Sequence, residues 1–317
     1  MTVRWGFLGA GYVASRAMAP AVHEAEGAVL RAVASRDETR SRALEPEKVH
    51  ASYRTLLDDP HVDAVYVSLT NAQHAEWVIA ALGAGKHVLC EKPLALNAAE
   101  ARTMFNAARQ ADRLLVEASW VRWHPRFQRM TALVESGALG ALSAIDSSFT
   151  FVGDMTNNYR LSPELGGGAL LDVGCYQAQA WVALTGGAPE FAVETVERVR
   201  GDTGVDLTTQ AMVTINDNVR ATMLSSFALP ASQSLVVTGT ETSLRTGEGE
   251  AFTSWREAST LHVGANEEQF DSVDAFVMMV EEMSRRIMGD DGWVVPASDS
   301  LRSAEILDSI SSRNTAS

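Results

Sequence analysis

The first fourteen residues constrain this chain more than any other stretch. An apolar run of strand length, residues 3–8 (VRWGFL), leads directly into Gly9-Ala10-Gly11-Tyr12-Val13-Ala14, and a helical stretch follows to about Glu26. In such a strand–turn–helix the first glycine permits a tight turn and the second lets a diphosphate approach the backbone. The small Ala14 lets helix and strand pack closely. The free N–H groups and positive dipole end of the helix then face the phosphates. The pattern G-x-G-x-x-A is weak alone; its place between a strand and a helix is what points to a dinucleotide.

The pattern repeats as alternation. Strands are expected at 29–34 (VLRAVA), 62–69 (VDAVYVSL), 87–90 (HVLC) and 114–118 (LLVEA), with helices at 74–84 and 98–110. Strands separated by helices of this length imply right-handed βαβ units and a parallel sheet. Residues 1–119 therefore read as an NAD(P)-binding Rossmann domain. The rhythm then changes. After a helix at 125–135, period-two alternation marks strands at 142–152, 191–200, 207–215, 220–229 and 233–239. Helices are expected at 169–184, 271–288 and 298–311, and the polar end, 312–317, is expected to fray. Strands in runs with few helices suggest an antiparallel sheet with helices on one face. The fold class is α/β, a Rossmann domain followed by an α+β domain over 120–317 for substrate binding and dimerisation.

Composition narrows the functions. A net charge of -14 argues against nucleic acid, since phosphate tracks need basic patches. It is no obstacle to an anionic cofactor held by backbone N–H groups and a local cation. No apolar stretch approaches the roughly 20 residues of a membrane span. Cys90 and Cys175 give neither a disulfide framework nor metal spacing, and His61, His87 and His124 form no recognisable ligand cluster. The chain start lacks the pattern of a secretory leader, so a cytoplasmic location is expected.

The end of the second strand selects the cofactor. An acidic residue there takes the adenosine ribose hydroxyls and favours NAD. This chain has Ser35-Arg36, with Asp37 one step later. Arginine can fork onto a 2′-phosphate and stack on adenine, and serine can donate to it. NADP(H) is therefore preferred. NAD(H) is the alternative, with Arg36 solvated and Asp37 turned inward.

Two further features carry chemistry. Cys90-Glu91-Lys92-Pro93 ends the fourth strand, at the edge where open α/β sheets bind ligands. Lys92 there can polarise a substrate oxygen, although a lysine taken alone is more often a surface residue. Pro93 fixes the turn, with a cis bond as one option. On the expected helix after Gly166-Gly167-Gly168, Asp172 and Tyr176 stand at i and i+4. Leu170, Val173, Gln177, Ala180, Trp181 and Leu184 fall mostly on the opposite, core-facing side. An adjacent carboxylate and phenol suit substrate hydroxyls, or plain solvated surface.

In this order and spacing, GFLGAGYVA, VDAVYVSLTNAQH, CEKP, WVRWHPRF and ELGGGALLDVGCY resemble the Gfo/Idh/MocA family of glucose–fructose oxidoreductase, inositol dehydrogenase and MocA. The resemblance runs over at least residues 3–185. It implies a second domain with a large open sheet, often used for dimerisation, and so a homodimer or higher homo-oligomer. It also implies that Lys92, Asp172 and the residue at 176 form the catalytic group. Many members carry histidine at that last place. Tyr176, with the NNYRLSPELGGG lead-in, matches the branch resembling glucose–fructose oxidoreductase, dimeric dihydrodiol dehydrogenase and the NADP-dependent xylose dehydrogenases. Thr70 stands where the family usually has proline. Asn71 and His74 are implied near the cofactor ribose and phosphates; His74 reads equally well as a helix cap. Arg122, Trp123, Tyr159 and Arg160 are expected to approach the pocket, with core or rim packing as the alternative for each. Arg160 would fix the carboxamide or a substrate hydroxyl.

The implied activity is hydride transfer between nicotinamide and a small sugar, polyol or related hydroxy compound, foremost by an NADP-dependent aldose 1-dehydrogenase. The rivals are an NADPH-dependent keto-sugar reductase and a trans-dihydrodiol dehydrogenase. Outside dehydrogenation stand a non-catalytic cofactor-binding regulator, which would be expected to have lost Lys92 or the helix pair, and a glycosidase using bound NAD(H) transiently. The Ser35-Arg36 reading predicts a lower KM for NADP⁺ than for NAD⁺ in steady-state assays, and a strong NAD⁺ preference overturns it.

Overall fold

The computed structural model describes residues 1–153, 155–156, 158–187 and 189–313; residues 314–317 of the polar end lie outside them. In chain order the first elements are β1 (Val3–Leu8), α1 (Ala19–Glu24), β2 (Ala28–Ala34), α2 (Glu38–Arg42), β3 (Lys48–His50) and α3 (Tyr53–Leu57). Then come β4 (Ala64–Val67), α4 (His74–Gly83), β5 (His87–Cys90), α5 (Ala98–Ala111), β6 (Leu115–Glu117), α6 (Pro125–Glu135), β7 (Leu142–Val152) and α7 (Cys175–Leu184). The chain closes with β8 (Phe191–Arg200), β9 (Asp206–Ile215), β10 (Val219–Ser226), β11 (Ala228–Gly239), β12 (Ser243–Thr246), β13 (Ser259–Val263), β14 (Asn266–Phe270), α8 (Ala275–Ile287) and α9 (Ala297–Ser312). These elements divide into two compact units. One comprises Met1–Ala95, Ala99–Trp123 and Asp274–Ala297; the other comprises Leu96–Ala98, His124–Val273 and Ser298–Ser317.

The first unit holds a six-stranded sheet in the order β3-β2-β1-β4-β5-β6, with every pairing parallel. β4 is buried at all its positions and β1 at all but one, as strands covered on both faces require. The strand expected at 62–69 is shorter because Asp63 is drawn to Arg4, accepting its guanidinium at 2.6 Å, and the chain beyond Val67 turns into a short 3₁₀ segment at Asn71–Gln73. β3 was not expected. It is a three-residue edge strand with a single buried position, too short for a periodic signal, and His50 anchors it on Asp59 at 3.0 Å. The segment Asp274–Ala297 packs with these elements. Phe276 stacks on Trp120 with ring centroids 5.7 Å apart, and Trp5 Nε1 donates to Ser284 Oγ at 3.3 Å.

The second unit is built on an eight-stranded sheet in the order β14-β13-β12-β11-β7-β10-β9-β8. Among the described residues, only β7–β10 pairs in parallel in this sheet. Residues 145, 147, 221, 223 and 225 point to the buried face under α7, and Thr208, Thr214 and Thr222 are partly exposed on the other. Ser225 belongs to the buried face. It is fully buried and accepts a hydrogen bond from Gln177 Nε2 at 2.8 Å. Gln177, also fully buried, accepts from Ser147 Oγ at 3.1 Å and from the Leu224 amide at 3.2 Å, so one amide side chain joins α7 to β7 and β10. β12, β13 and β14 were also unexpected, being only four or five residues long.

α6 starts on His124, which is buried and accepts the Arg126 amide on Nδ1 at 3.2 Å. A cap that accepts on Nδ1 must be neutral, and burial with the nearby Arg126 charge pushes His124 down to about 4. The unfolded chain therefore binds the proton first. His124 contributes stability in full above its unfolded value near 6.5, and loses it as pH falls through that value toward about 4. His124→Asn keeps a side-chain acceptor suited to an N-cap but does not titrate. Between pH 7.5 and 5, urea unfolding should show about 2 kcal/mol less loss of stability in the variant than in the wild type; equal losses would refute the assignment.

Candidate active site

The glycine turn leaves β1 with Gly9 at φ +100°, a conformation natural to glycine, and a Cβ there would overlap the Ser68 carbonyl oxygen. A Cβ at Gly11 would meet only Ser68 Oγ, at 3.9 Å, so the turn has open space over its second glycine. Tyr12 is exposed, Val13 is half-buried, and Ala14 is buried at the start of a π-helical turn, Ala14–Met18. These features suit a diphosphate lying against backbone N–H groups.

At the end of β2, Ser35 Oγ donates to the Asp37 carbonyl at 2.6 Å and Arg36 is exposed. Asp37 is the N-cap of α2, its Oδ1 accepting the Thr39 and Arg40 amides at 2.9 and 3.1 Å. Its carboxylate is thus committed to the helix start. At the end of β4, Thr70 Oγ1 donates to Gln73 Oε1 at 3.0 Å and Asn71 is buried. His74 does not cap α4. It is the first residue of that helix and is wholly buried, with Nδ1 2.9 Å from the Pro93 carbonyl and Nε2 3.3 Å from that of Leu69. Burial pushes its imidazole down to about 4. The neutral ring has one N–H to donate, and its shorter contact, to Pro93, ties the start of α4 to the turn after β5.

That turn contains the cis Lys92–Pro93 bond. Glu91 is buried, accepts the Tyr66 hydroxyl on Oε1 at 2.5 Å and takes the Lys92 amide on Oε2 at 3.3 Å. Burial, then the Glu91 charge, raises the Tyr66 phenol well above its ordinary value, so Tyr66 remains a donor. The Leu94 amide donates to Glu117 Oε1 at 2.9 Å. Lys92, half-buried, is therefore carried on a backbone held by carboxylates on both sides. Arg122 is buried, with its guanidinium 5.8 Å from the Trp293 ring centroid. Trp123 is fully buried and donates Nε1 to the Trp293 carbonyl at 3.2 Å.

In the second unit, the expected helix at 169–184 opens with a π-helical turn, Leu170–Gly174, before α7 begins. Its first turn is capped by another element, since Asp206 Oδ2 accepts the Leu170 amide at 2.8 Å. Asp172 does not lie on a solvated face. It is buried and pairs with Arg160, Nε to Oδ2, at 2.6 Å. The guanidinium of Arg160 also lies 5.0 Å from the Tyr159 ring centroid. Tyr176, half-buried, is the one residue of α7 not enclosed. Phe149 and Phe252 flank it with ring centroids at 5.6 and 6.0 Å. Phe252 is placed by its amide donating to Gln233 Oε1 at 3.0 Å, next to a backbone that accepts the buried Arg126 guanidinium. Tyr66, Phe149, Asp206 and Phe252 were missed in the sequence; Phe252 lies in an irregular segment without periodicity. Among the described residues, no group of three or more His, Cys, Asp or Glu could hold a metal ion, and no helix is long and apolar enough to cross a membrane.

A parallel sheet with this glycine turn, and a second unit bearing a phenol and an ion pair on one helix, define an NAD(P)-dependent oxidoreductase of two units. Residues 3–119 match the model described as an oxidoreductase family with an NAD-binding Rossmann fold, and residues 127–245 match the GFO/IDH/MocA C-terminal domain. The chain belongs to the Gfo/Idh/MocA family of oxidoreductases. It is 33% identical over 314 residues to a D-xylose 1-dehydrogenase (NADP(+)) of Haloferax volcanii, covering 96% of this chain and 95% of that protein. It is 33% identical over 248 residues to a trans-1,2-dihydrobenzene-1,2-diol dehydrogenase of Bos taurus, covering 76% and 73% of the two chains. The 3-ketoreductase KijD10 of Actinomadura kijaniata, in complex with NADP and TDP-benzene, superposes with a TM-score of 0.89 at 27% identity over 98% of this chain and 97% of its own. Two variants of KijD10, with lysine changed to alanine and tyrosine to phenylalanine, match at TM-scores of 0.85 and 0.88, each at 27% identity and with the same coverage. The two changed positions are separated by the same number of residues as Lys92 and Tyr176.

The two glycines predict distinct defects. Gly9→Ala strains the backbone and drives a Cβ into Ser68, so thermal unfolding should show a stability loss of about 1–3 kcal/mol as well as lost cofactor binding. Gly11→Ala has room and should unfold like the wild type, while fluorescence titration shows cofactor affinity reduced about tenfold (~1.4 kcal/mol). Unchanged affinity in Gly11→Ala would remove the diphosphate from this turn.

Proposed function

We propose that the chain is an NADP-dependent aldose 1-dehydrogenase that converts an aldose to its lactone. The observation that carries this reading is the near full-length similarity to a D-xylose 1-dehydrogenase (NADP(+)). The cofactor end supports it as well. Asp37 is occupied in capping α2, whereas Arg36 is exposed and Ser35 stands beside it, suited to a 2′-phosphate. Gly9, Gly11 and the following turn would hold the diphosphate, Asn71 would lie near the ribose and phosphates, and Thr70 and Glu91 would complete the cofactor edge.

When bound, the nicotinamide takes up or supplies the hydride. Tyr176 accepts the proton of the hydroxyl on the reacting carbon, acting as general base. Lys92 holds that oxygen and favours the phenolate, as a neighbouring cation does. Asp172 orients a neighbouring substrate hydroxyl, or Lys92, through the carboxylate that Arg160 steadies. Arg122 and Tyr159 belong to the substrate end of the same reading. The KijD10 variants support the choice of Lys92 and Tyr176, because the lysine and tyrosine changed there have the same spacing.

A second reading, reduction of a keto-sugar or oxidation of a trans-dihydrodiol, is favoured by the likeness to the 3-ketoreductase and to the dihydrodiol dehydrogenase. We place the protein in the cytoplasm, consistent with two buried cysteines in the thiol form. A second copy is assigned to the open face of the eight-stranded sheet by family analogy; a monomer by light scattering would remove that assignment.

Aldoses, inositols and trans-dihydrodiols assayed with NADP⁺ at 340 nm should show the highest kcat/KM with an aldose. Lys92→Ala should lower kcat by at least several hundred-fold and Tyr176→Phe by roughly 10²–10⁴. Near-normal rates in both variants would overturn the roles, and a dihydrodiol preference would replace the substrate.

A further inference from the structure

We propose that Arg160, clamped by Asp172, is a positioning residue that acts through Tyr176, its fixed guanidinium charge holding the phenol toward the deprotonated form. The inference deepens the reading above and rests on Tyr176 being the proton acceptor.

The place of Arg160 is over-determined. Its carbonyl accepts the Gly168 amide at 2.9 Å, and a Cβ at Gly167 would overlap that same oxygen, so the glycine run wraps the arginine backbone closely. Its amide donates to Asn158 Oδ1 at 3.1 Å. Its side chain is fixed by Asp172 at 2.6 Å, and the Asp172 amide in turn donates to the Gly168 carbonyl at 3.1 Å. Backbone, side chain and helix start therefore form one closed loop of contacts. The bond to Asp172 uses Nε, and the guanidinium is planar with its charge spread over three nitrogens, so the terminal groups extend the charge beyond the pair.

Tyr176 follows Asp172 by one turn of the same helix. Phe149 from β7 and Phe252 flank its ring; Asp172, one turn before it, is paired with Arg160, and Arg160 lies over the ring of Tyr159. Lys92 joins them under the proposed reading. Apolar walls screen a charge less than water does, so an arginine charge is felt across several ångströms. Burial lowers the Arg160 pKa, but the charges of Asp172, Tyr159 and Tyr176 more than offset it, so the guanidinium stays charged and senses the Tyr176 phenol. Asp172 keeps that cation stable in a mostly enclosed place, where an unpaired charge would be costly.

The test is the pH dependence of kcat with NADP⁺ and D-xylose, or the best substrate of the panel, for wild type, R160Q, R160K and Y176F. R160Q should move the ascending limb up by about one pH unit and lower kcat near pH 7 about tenfold, with the high-pH plateau within a few-fold of wild type. R160K, which keeps the charge, should restore the limb to within about half a unit. A several-fold loss of NADP(H) affinity by fluorescence in R160Q with an unmoved limb would give Arg160 the carboxamide contact instead and overturn the inference. An unmoved limb in R160Q, with Y176F strongly impaired, overturns this inference alone; a normal rate in Y176F overturns the role of Tyr176 and the inference with it. If R160Q does not fold, ultraviolet difference titration in the Lys92→Ala background, with and without Y176F, isolates the phenol. Titration below the ordinary value near 10 supports the inference, and titration at or above it refutes it.

Discussion

In the first unit, four strands of the parallel sheet, β1, β4, β5 and β6, extend their hydrogen bonding one residue past their own ends, and the glycine turn, Thr70-Asn71 and Lys92 follow those extensions. The Gly9 amide donates to the Ala34 carbonyl, Ser68 to Leu8, Glu91 to Val67 and Ala118 to Cys90, at 2.7–3.0 Å. Because the strands are parallel, all four extensions fall on the same carboxyl edge. The glycine turn, the Ser35-Arg36 pair, Thr70-Asn71 and Lys92 are therefore brought together by backbone geometry before any side chain contributes. The close approach at Gly9 belongs to this arrangement. The Ser68 carbonyl fills the space where a side chain at residue 9 would begin, so sheet and turn are specified together.

The second unit solves the placement problem with buried polar side chains. α7 is enclosed at nearly every position, so an apolar stripe cannot set its rotation. Gln177 sets it, because only one orientation satisfies its bonds to Ser147, Leu224 and Ser225 together. Asp206 sets where the helix begins, by taking the Leu170 amide. With rotation and start both determined, Tyr176 has one outlook, between Phe149 and Phe252.

How much of this was legible in the sequence depends on the range of the interactions. The parallel sheet, its glycine turn and the strand carrying Lys92 were readable because their signals are local and periodic. β3 and β12–β14 were not, since three to five residues cannot display a period. The Asp172–Tyr176 helix was located correctly and its face misjudged. A uniform α-helix was assumed, and the π-helical turn at Leu170–Gly174, with an ion pair to a residue in another segment, places Asp172 inside. The cap that was one of two readings of His74 fails for a similar reason. Its partner is the Pro93 carbonyl, and no local pattern announces a histidine that serves a distant turn.

Charge economy links the two units. A chain with net charge -14 has to bind an anionic dinucleotide, and surface potential does not help it. What remains are backbone N–H groups at a helix start and individual cations whose positions are controlled. Arg36 is left exposed, while Arg160 and Arg126 are paired with Asp172 and Glu250. Such pairs add little net stability, because the loss of hydration offsets most of the attraction. They do determine geometry, since breaking either one leaves an uncompensated charge in an enclosed place. An acidic protein that needs a few cations at set points gains from tying each to a carboxylate of its own, and so Asp172 is as much part of the placement of Arg160 as of the reaction proposed for it.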